Sequence, residues 1–298
     1  MIARDQHLPA LHANSRDFDL RATASRQGNI DGVHIYDDLT QMLAGKPTIA
    51  VLSICAPPAG RDIIAREAIA AGLHFMLEKP PLATLGGLAA LQMQAMQAGA
   101  TLFTIWYARE ASAVRITRKW LSGRRISAVR VHLLEDIRVL HAGQVWILAA
   151  GRFGVFDPAI NAFSILTLLL SEPIAVVSCI KARPRGRDAP IAAEICTVCG
   201  DAAVNLCLDL LHVGEPRWDI EIDSDGHTLC ITQGGNALSI DGTPQPLESV
   251  SGYTGFYRQF ATLIAARKSE VDASPLRAVT DALLTASWRD MAVFEWNT

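Results

Sequence analysis

The segment His74-Phe75-Met76-Leu77-Glu78-Lys79-Pro80-Pro81 decides how the rest of the chain is read. Three apolar residues run into an acid, a base and two prolines. The apolar run predicts a short buried strand, and Pro80 ends it because proline has no backbone N–H to give to a ladder. A Glu-Lys pair at the carboxyl end of a parallel strand stands where open α/β sheets hold their ligands. A surface turn after an ordinary strand gives the same residues, so the flanking pattern has to choose.

Upstream, residues 2–14 predict a helix with Ile2, Leu8 and Leu11 apolar, residues 20–24 a strand and residues 36–43 a short helix. Ile49-Ala50-Val51-Leu52-Ser53-Ile54 is a continuous buried strand stopped by Pro57-Pro58, and Arg61 to Ala71 is a helix ended by Gly72. Downstream, residues 85–97 predict a helix and residues 101–106 a strand. Strands alternating with helices imply right-handed βαβ crossovers and a parallel sheet. Residues 1–108 therefore predict a Rossmann-type α/β dinucleotide-binding domain. Such a domain opens with an apolar strand and a Gly-x-Gly turn that lets backbone approach a pyrophosphate. Met1 instead stands at the helix that follows that turn, a shortfall of roughly ten residues. Either the start is placed too far downstream or the phosphate loop is lost, and the intact remainder of the pattern favours the first.

The second half changes period. Residues 112–121 predict a linking helix, and residues 126–134 alternate apolar and polar positions as a half-buried strand does. Asp157-Pro158 starts a long apolar helix, with Asp157 expected at the N-cap and Pro158 at the first helical position. Strand-like runs follow at residues 174–182, 192–199, 203–211, 218–222, 229–232 and 238–240, and Asp223-Ser224-Asp225-Gly226 is a hairpin signal. Helices are expected at residues 256–267 and 276–291. Residues 109–298 thus predict an α+β substrate-binding and oligomerisation domain with a largely antiparallel open sheet. The C-terminal helices are candidates to pack back on the first domain.

Composition excludes several classes. Of 298 residues, 50% are hydrophobic and 19% charged, which describes a core-rich globular protein. The net charge of -3 is spread without blocks, so no nucleic-acid or acidic-membrane footprint exists, and the basic run Arg183-Pro184-Arg185-Gly186-Arg187 reads as a solvated loop. The apolar stretch 162–180 is broken by Glu172 and Pro173 and does not span a bilayer. Arg4, Asp5, Gln6 and His7 interrupt any secretory leader, and six cysteines in apolar runs predict reduced, buried thiols in a cytoplasmic protein. Cys196-Thr197-Val198-Cys199 has half the spacing of a zinc site, but no second pair completes it, so no metal is expected.

Four segments together resemble the glucose–fructose oxidoreductase/inositol dehydrogenase (Gfo/Idh/MocA) family, in the branch of D-galactose and L-arabinose 1-dehydrogenases. They are Ile2-Ala3-Arg4-Asp5-Gln6-His7, Ala24-Ser25-Arg26, Glu78-Lys79-Pro80-Pro81 and Gly154-Val155-Phe156-Asp157-Pro158-Ala159-Ile160-Asn161, the last being the most specific. The resemblance weakens after about residue 215. It implies oxidation of an aldopyranose at C1 to the aldonolactone by hydride transfer to a nicotinamide. It also implies cofactor contacts from Ile2, Ala3, Ser25, Arg26, Pro57, Glu78 and Lys79. Substrate contacts are implied from Tyr107, Glu135, His141, Asp157 and Asn161, and Lys79, Asp157 and Asn161 are the implied catalytic set. A homodimer or larger homo-oligomer is the habit of the family.

The chemistry of these residue types can be stated separately. Oxidising a hemiacetal requires a proton to leave the C1 hydroxyl while hydride leaves C1, in a pocket that excludes water. A free lysine ionises near pH ~10.4, so Lys79 is a base only where burial or nearby cations lower that value. Otherwise its ammonium orients hydroxyls and stabilises a developing alkoxide. Asp157 and Asn161 are four apart and can share one helix face. Many family members carry histidine where Asn161 stands, and since Asn161 cannot take a proton, Asp157 is the more plausible base. Asp157 as a plain helix cap and Glu135 as a solvated strand end are the alternative readings. Tyr107 stands where the branch has histidine, and Leu148-Ala149-Ala150-Gly151-Arg152 replaces an aromatic and acidic stretch, so the sugar can differ. Ser25-Arg26 at a strand end suits the 2′-phosphate of NADP, whereas an acid there suits the ribose of NAD. NADP is expected to be preferred over NAD. The rival to the enzyme is a non-catalytic sugar- or nucleotide-binding protein, and a polyol or imino-substrate oxidoreductase is a third reading. The whole assignment expects Lys79 and Asp157, distant in the chain, to converge on one cleft between the halves.

Overall fold

The computed structural model of the protein describes residues 2–25, 30, 32–45, 47–140, 142–143, 145–149, 154–248 and 252–295. The chain divides into two compact units, Met1–Tyr107 with Ser251–Ala273, and Ala108–Val250 with Ser274–Thr298. In chain order the first unit opens with a helical segment that is π-helical over Ala3–His7 and α-helical over Leu8–Ala13 (α1). Pro9, just after the junction, has no N–H to donate back to Asp5, which leaves a gap in the ladder where the two pitches meet. Strands β1 (Ala22–Ala24) and β2 (His34–Tyr36) pair in parallel, with Ala22 opposite His34. A helix was expected from Tyr36, but Asp38 caps α2 (Leu39–Ala44) by accepting from the Gln41 N–H, which leaves residues 34–36 to a strand.

Next come β3 (Val51–Ile54), α3 (Arg61–Ala70), β4 (His74–Leu77), α4 (Leu85–Gln97) and β5 (Leu102–Thr104). The three strands form a parallel sheet in the order β3-β4-β5. Phe75, Met76 and Leu77 of β4 are all buried, as a strand covered on both faces requires. The Rossmann-type α/β pattern expected from the alternation is present, with its described parallel strands in two sheets of two and three.

The second unit contains α5 (Ser112–Trp120), β6 (Ile126–Leu134), a short α6 (Ile137–Leu140), α7 (Phe156–Leu169), and β7 (Ala175–Arg185). It continues through β8 (Ala192–Cys199), β9 (Ala202–Asp209), β10 (Arg217–Ser224), β11 (His227–Thr232), β12 (Ala237–Ile240) and β13 (Thr243–Pro244). Helix α8 (Gly252–Ala265) then belongs to the first unit, where it packs on α1, while α9 (Ser274–Thr285) and β14 (Ser287–Val293) complete the second. The nine strands β6 to β14 form one sheet in the order β13-β12-β11-β10-β6-β9-β8-β7-β14. It is mostly antiparallel, with parallel pairings only between β6 and β9 and between β7 and β14. The Asp225-Gly226 turn joins β10 to β11 with φ of 50° and 81°, the pair of positive values that a tight hairpin turn needs.

Two expectations are corrected here. The last helix stops at Thr285 rather than Met291, and residues 287–293 form a strand that pairs with β7 instead. Their apolar residues suited a helix face, but the free edge of β7 offered a full row of backbone partners. The six thiols are not uniformly buried either: Cys179 and Cys199 are, but Cys196 and Cys207 are exposed. β8 and β9 have one covered and one open face, so strict alternation turns Cys196 outward and Cys199 inward. That alternation also places the two cysteines of the Cys-x-x-Cys on opposite faces. Among the described residues no group of three or more His, Cys, Asp or Glu could hold a metal ion, and no helix is long and apolar enough to cross a membrane.

Candidate active site

Within the first unit the chemistry gathers where β4 ends. Glu78 is buried at 5% exposure, Lys79 is half-buried, and Pro80 follows through a cis peptide bond. An ionised carboxylate can lie this deep only when its oxygens are occupied. Glu78 Oε1 accepts the Tyr253 hydroxyl at 2.7 Å and stands 2.9 Å from His7 Nε2. Oε2 accepts the Lys79 backbone N–H at 3.1 Å. His7 Nδ1 lies 2.9 Å from the Tyr257 hydroxyl, which lies 2.9 Å from Ser53 Oγ. Because the carboxylate only accepts, His7 donates from Nε2; in the neutral tautomer Nδ1 then accepts from Tyr257, and Ser53 donates to Tyr257.

Burial opposes the charged form of Glu78. The hydrogen bonds from His7 and Tyr253, the His7 charge and the Lys79 amide outweigh it, and the carboxyl is held below the usual range. The same burial, reinforced by the Glu78 charge, pushes the Cys55 thiol up to about 12, with Arg61 opposing. Arg61, only 2% exposed at the start of α3, donates to the carbonyls of Ala56, Glu78 and Pro80 and so staples the β3 loop to the turn. Tyr107, exposed at the end of the segment after β5, stacks on Tyr253 with centroids 6.4 Å apart and planes 22° from parallel.

Other implied cofactor residues lie at strand ends of the same unit. Ser25 closes β1 and gives its backbone N–H to the Tyr36 carbonyl at 2.8 Å. Pro57 is exposed in the loop after β3, and Ile2 and Ala3 open the first helical segment. The placement fits a dinucleotide, since the carboxyl ends of β1, β3, β4 and β5, where open α/β sheets hold such ligands, are followed by Ser25, Pro57, Glu78-Lys79 and Tyr107. A cavity of about 600 Å³ beside α1, lined by Leu8, Leu11, Phe18 and Val33 among others, includes none of these residues. Arg26 lies outside the described residues.

The second unit carries the other half of the implied set. Helix α7 begins at Phe156 with Val155 as its N-cap, so Asp157 is not the cap and Pro158 is not the first helical residue. The helix starts early because Gly154 takes φ of 54° and the Val155 N–H donates to the Pro190 carbonyl at 2.8 Å. Asp157 and Pro158 still lie in the first turn, where backbone N–H groups have no helical partner and a proline is harmless. Asp157, half-buried, and Asn161, at 8% exposure, are one turn apart on one face. Glu135 follows β6, its N–H on the Asp209 carbonyl at 2.9 Å and its carbonyl accepting from the His212 N–H at 3.1 Å. Helix α7 packs against β6 in this unit. His141 lies outside the described residues. Lys79 and Asp157 belong to different units.

A Cβ on Gly154 would lie 2.1 Å from the Pro190 carbonyl oxygen, in a backbone conformation that side chains rarely adopt. Gly154→Ala is therefore expected to destabilise the second unit by about 3 kcal/mol or more, read as a drop in the urea midpoint at constant m.

Sequence reasoning reached Glu78 and Lys79 but not His7, Ser53, Arg61, Tyr253 and Tyr257, which surround them. His7 stands in the sequence as an interruption of an apolar run and as the end of a family-like segment, neither of which gives it a partner, and nothing near Tyr253 in the chain points to a carboxylate 175 residues away.

Comparison with known proteins bears on the family and the fold. Residues 2–105 match the model of an oxidoreductase family with an NAD-binding Rossmann fold. Galactose 1-dehydrogenase of Pseudomonas fluorescens is 39% identical over 290 residues, 96% of this chain and 93% of that protein. The crystal structure of D-galactose-1-dehydrogenase from Rhizobium etli superposes with a TM-score of 0.93 at 41% identity, covering 99% of this chain and 95% of that one. A 3-ketoreductase from Actinomadura kijaniata, solved with NADP and TDP-benzene, shares the fold at a TM-score of 0.81 and 16% identity, covering 98% of this chain and 96% of that one. The buried Glu78 carboxylate at a parallel strand end, the match of residues 2–105 and the full-length relative together place this chain in the Gfo/Idh/MocA family of oxidoreductases.

Proposed function

We propose that this chain is an NADP-preferring aldose 1-dehydrogenase that oxidises D-galactose, L-arabinose or a similarly configured aldopyranose at C1 to the aldonolactone. The observation that supports this reading most directly is the relation to galactose 1-dehydrogenase, which spans both units and so includes Lys79 and the Asp157–Asn161 helix. D-galactose and L-arabinose share the configuration at C2 to C4 and differ by the exocyclic carbon, so one pocket can take both. When bound, the nicotinamide accepts the hydride from C1. The protein's own residues handle the proton. Lys79 orients the C1 hydroxyl, relays its proton to Asp157 by taking one and handing one on, and stabilises the alkoxide as it develops. Asn161, which can donate and accept hydrogen bonds but not a proton, fixes the hydroxyl. Glu135, His141 and Tyr107 hold the remaining ring hydroxyls. The enzyme works in the cytoplasm as a homodimer or larger homo-oligomer. Its pairing surface is the open face of the nine-stranded sheet, which exposes Val177, Ile180 and Val198.

A panel of aldoses incubated with NADP or NAD, followed by the absorbance of the reduced cofactor, tests the reading. Turnover of D-galactose or L-arabinose is expected. If no aldose is oxidised with either dinucleotide, and calorimetry shows sugar binding without dinucleotide binding, the chain is a binding protein instead. Cofactor choice has its own test. Arg26→Ala removes the planar cation proposed to hold the 2′-phosphate and is expected to lower the ratio of NADP to NAD efficiency by roughly 10- to 100-fold. An unchanged ratio removes Arg26 from the cofactor site.

A further inference from the structure

His7, Ser53, Arg61, Tyr253 and Tyr257 converge under the Glu78-Lys79-Pro80 turn, and none of them has a place in the proton chemistry above. Burying an ionised carboxylate beside a histidine and an arginine is costly unless every group is paired. A strand end that only had to turn would not need them. Glu78 is where they meet: Oε1 takes Tyr253 at 2.7 Å and His7 at 2.9 Å, while Oε2 takes the Lys79 amide at 3.1 Å. Arg61 holds the carbonyls of Glu78 and Pro80, on either side of Lys79. The Lys79 backbone is thus tied at its own N–H, and the carbonyls of the residues before and after it are held by Arg61.

The direction of the Tyr253 bond is settled by its surroundings. Burial, and then the Glu78 charge, push the Tyr253 phenol well above its usual range, so it remains protonated and donates. Its ring also stacks on Tyr107, which joins an exposed aromatic to the same buried carboxylate.

We infer that His7 and Tyr253 are positioning residues for Lys79. By fixing Oε1 of Glu78 they hold Oε2 against the Lys79 amide, and so set the backbone from which the Lys79 ammonium reaches the C1 hydroxyl. The inference rests on the role of Lys79 proposed above. Neither residue touches the substrate in this account. Both act through Glu78.

The test uses the whole enzyme with three variants. Tyr253→Phe removes one hydroxyl and keeps the ring. His7→Leu removes the donor to Glu78, and His7→Gln keeps a donor near the position of Nε2. Pro80 and Pro81 have no N–H, so Lys79 carries the sole backbone amide of residues 79–81. Its hydrogen exchange, followed by NMR, is expected to speed up by about tenfold or more in Tyr253→Phe and His7→Leu and to stay near wild type in His7→Gln. In the same variants kcat is expected to fall roughly 30-fold with KM for sugar and dinucleotide within about twofold, and His7→Gln is expected to recover most of the rate. A residue that only stabilises the fold lowers the melting midpoint and the active fraction but leaves Lys79 exchange and kcat per folded molecule unchanged, and that outcome overturns the inference. If the wild-type chain oxidises no aldose, the proposed function fails by itself. The exchange measurement then decides the inference alone, with acceleration supporting it and an unchanged Lys79 amide overturning it.

Discussion

Replacing Lys79 with methionine is expected to lower kcat for aldose oxidation by about 10³-fold, close to 4 kcal/mol of transition-state stabilisation. Methionine keeps the length and apolar stem of the side chain and loses only the ammonium, so dinucleotide affinity is expected to change by less than about threefold. Arginine at position 79 keeps the charge but not the compact, rotatable donor, and it does not exchange a proton near neutral pH. Lys79→Arg is therefore expected to be nearly as slow as Lys79→Met. Asp157→Asn is expected to cost roughly 10²- to 10⁴-fold in kcat/KM and to remove the limb of the pH profile that reports ionisation of the base. The double variant carries the sharpest prediction. Two groups that move one proton act as a unit, so Lys79→Met with Asp157→Asn should be no slower than the worse single variant. Losses that multiply would mean that the two residues serve separate purposes, and the shared proton path would have to be abandoned.

The second large effect is on stability. Glu78→Leu strands the Tyr253 hydroxyl, the His7 N–H and the Lys79 amide in a buried place, each a donor without its acceptor. Removing one member of such a set costs about 3–5 kcal/mol, because the partners keep their desolvation and lose their compensation. Urea unfolding should show that loss as a lower midpoint at constant m. Its pH dependence follows from the direction of the Glu78 shift. The folded carboxyl ionises below its unfolded value, since the bonds from His7 and Tyr253 and the His7 charge outweigh burial. Its contribution is complete above the unfolded value, about 4.3, and is lost as pH falls through the folded one. The gap between wild type and Glu78→Leu should therefore narrow in acid, as pH falls below about 4.3. A gap that widens in acid would mean that Glu78 is protonated in the native protein.

Local patterns in this chain carried a large part of the outcome. The apolar run 75–77, the helix at 85–97 and the alternation at 126–134 are set by neighbouring residues, and β4, α4 and β6 lie there. Periods of two and 3.6 are properties of adjacent side chains, and the sequence by itself determined the α/β and α+β halves on that basis. The Asp-Gly turn at 225–226 was legible for the same reason, because the two residue types tolerate positive φ wherever they occur. Chain ends of elements were less legible. Asp157 and Pro158 looked like a helix start, but the carbonyl of Pro190, remote in sequence, moved the start to Phe156. Residues 287–293 had helix-compatible composition and became β14 because β7 had an open edge to pair with.

The surroundings of Lys79 were decided by tertiary structure alone. The bonds to Glu78 come from 71 residues upstream and 175 residues downstream, from a π-helical turn and from α8, and no spacing rule links those positions. A sequence shows that an acid stands at a strand end, but the charge that acid keeps depends on which donors the folded chain brings to it. Burial without partners would have neutralised Glu78, whereas burial among His7, Tyr253 and the Lys79 amide holds it ionised.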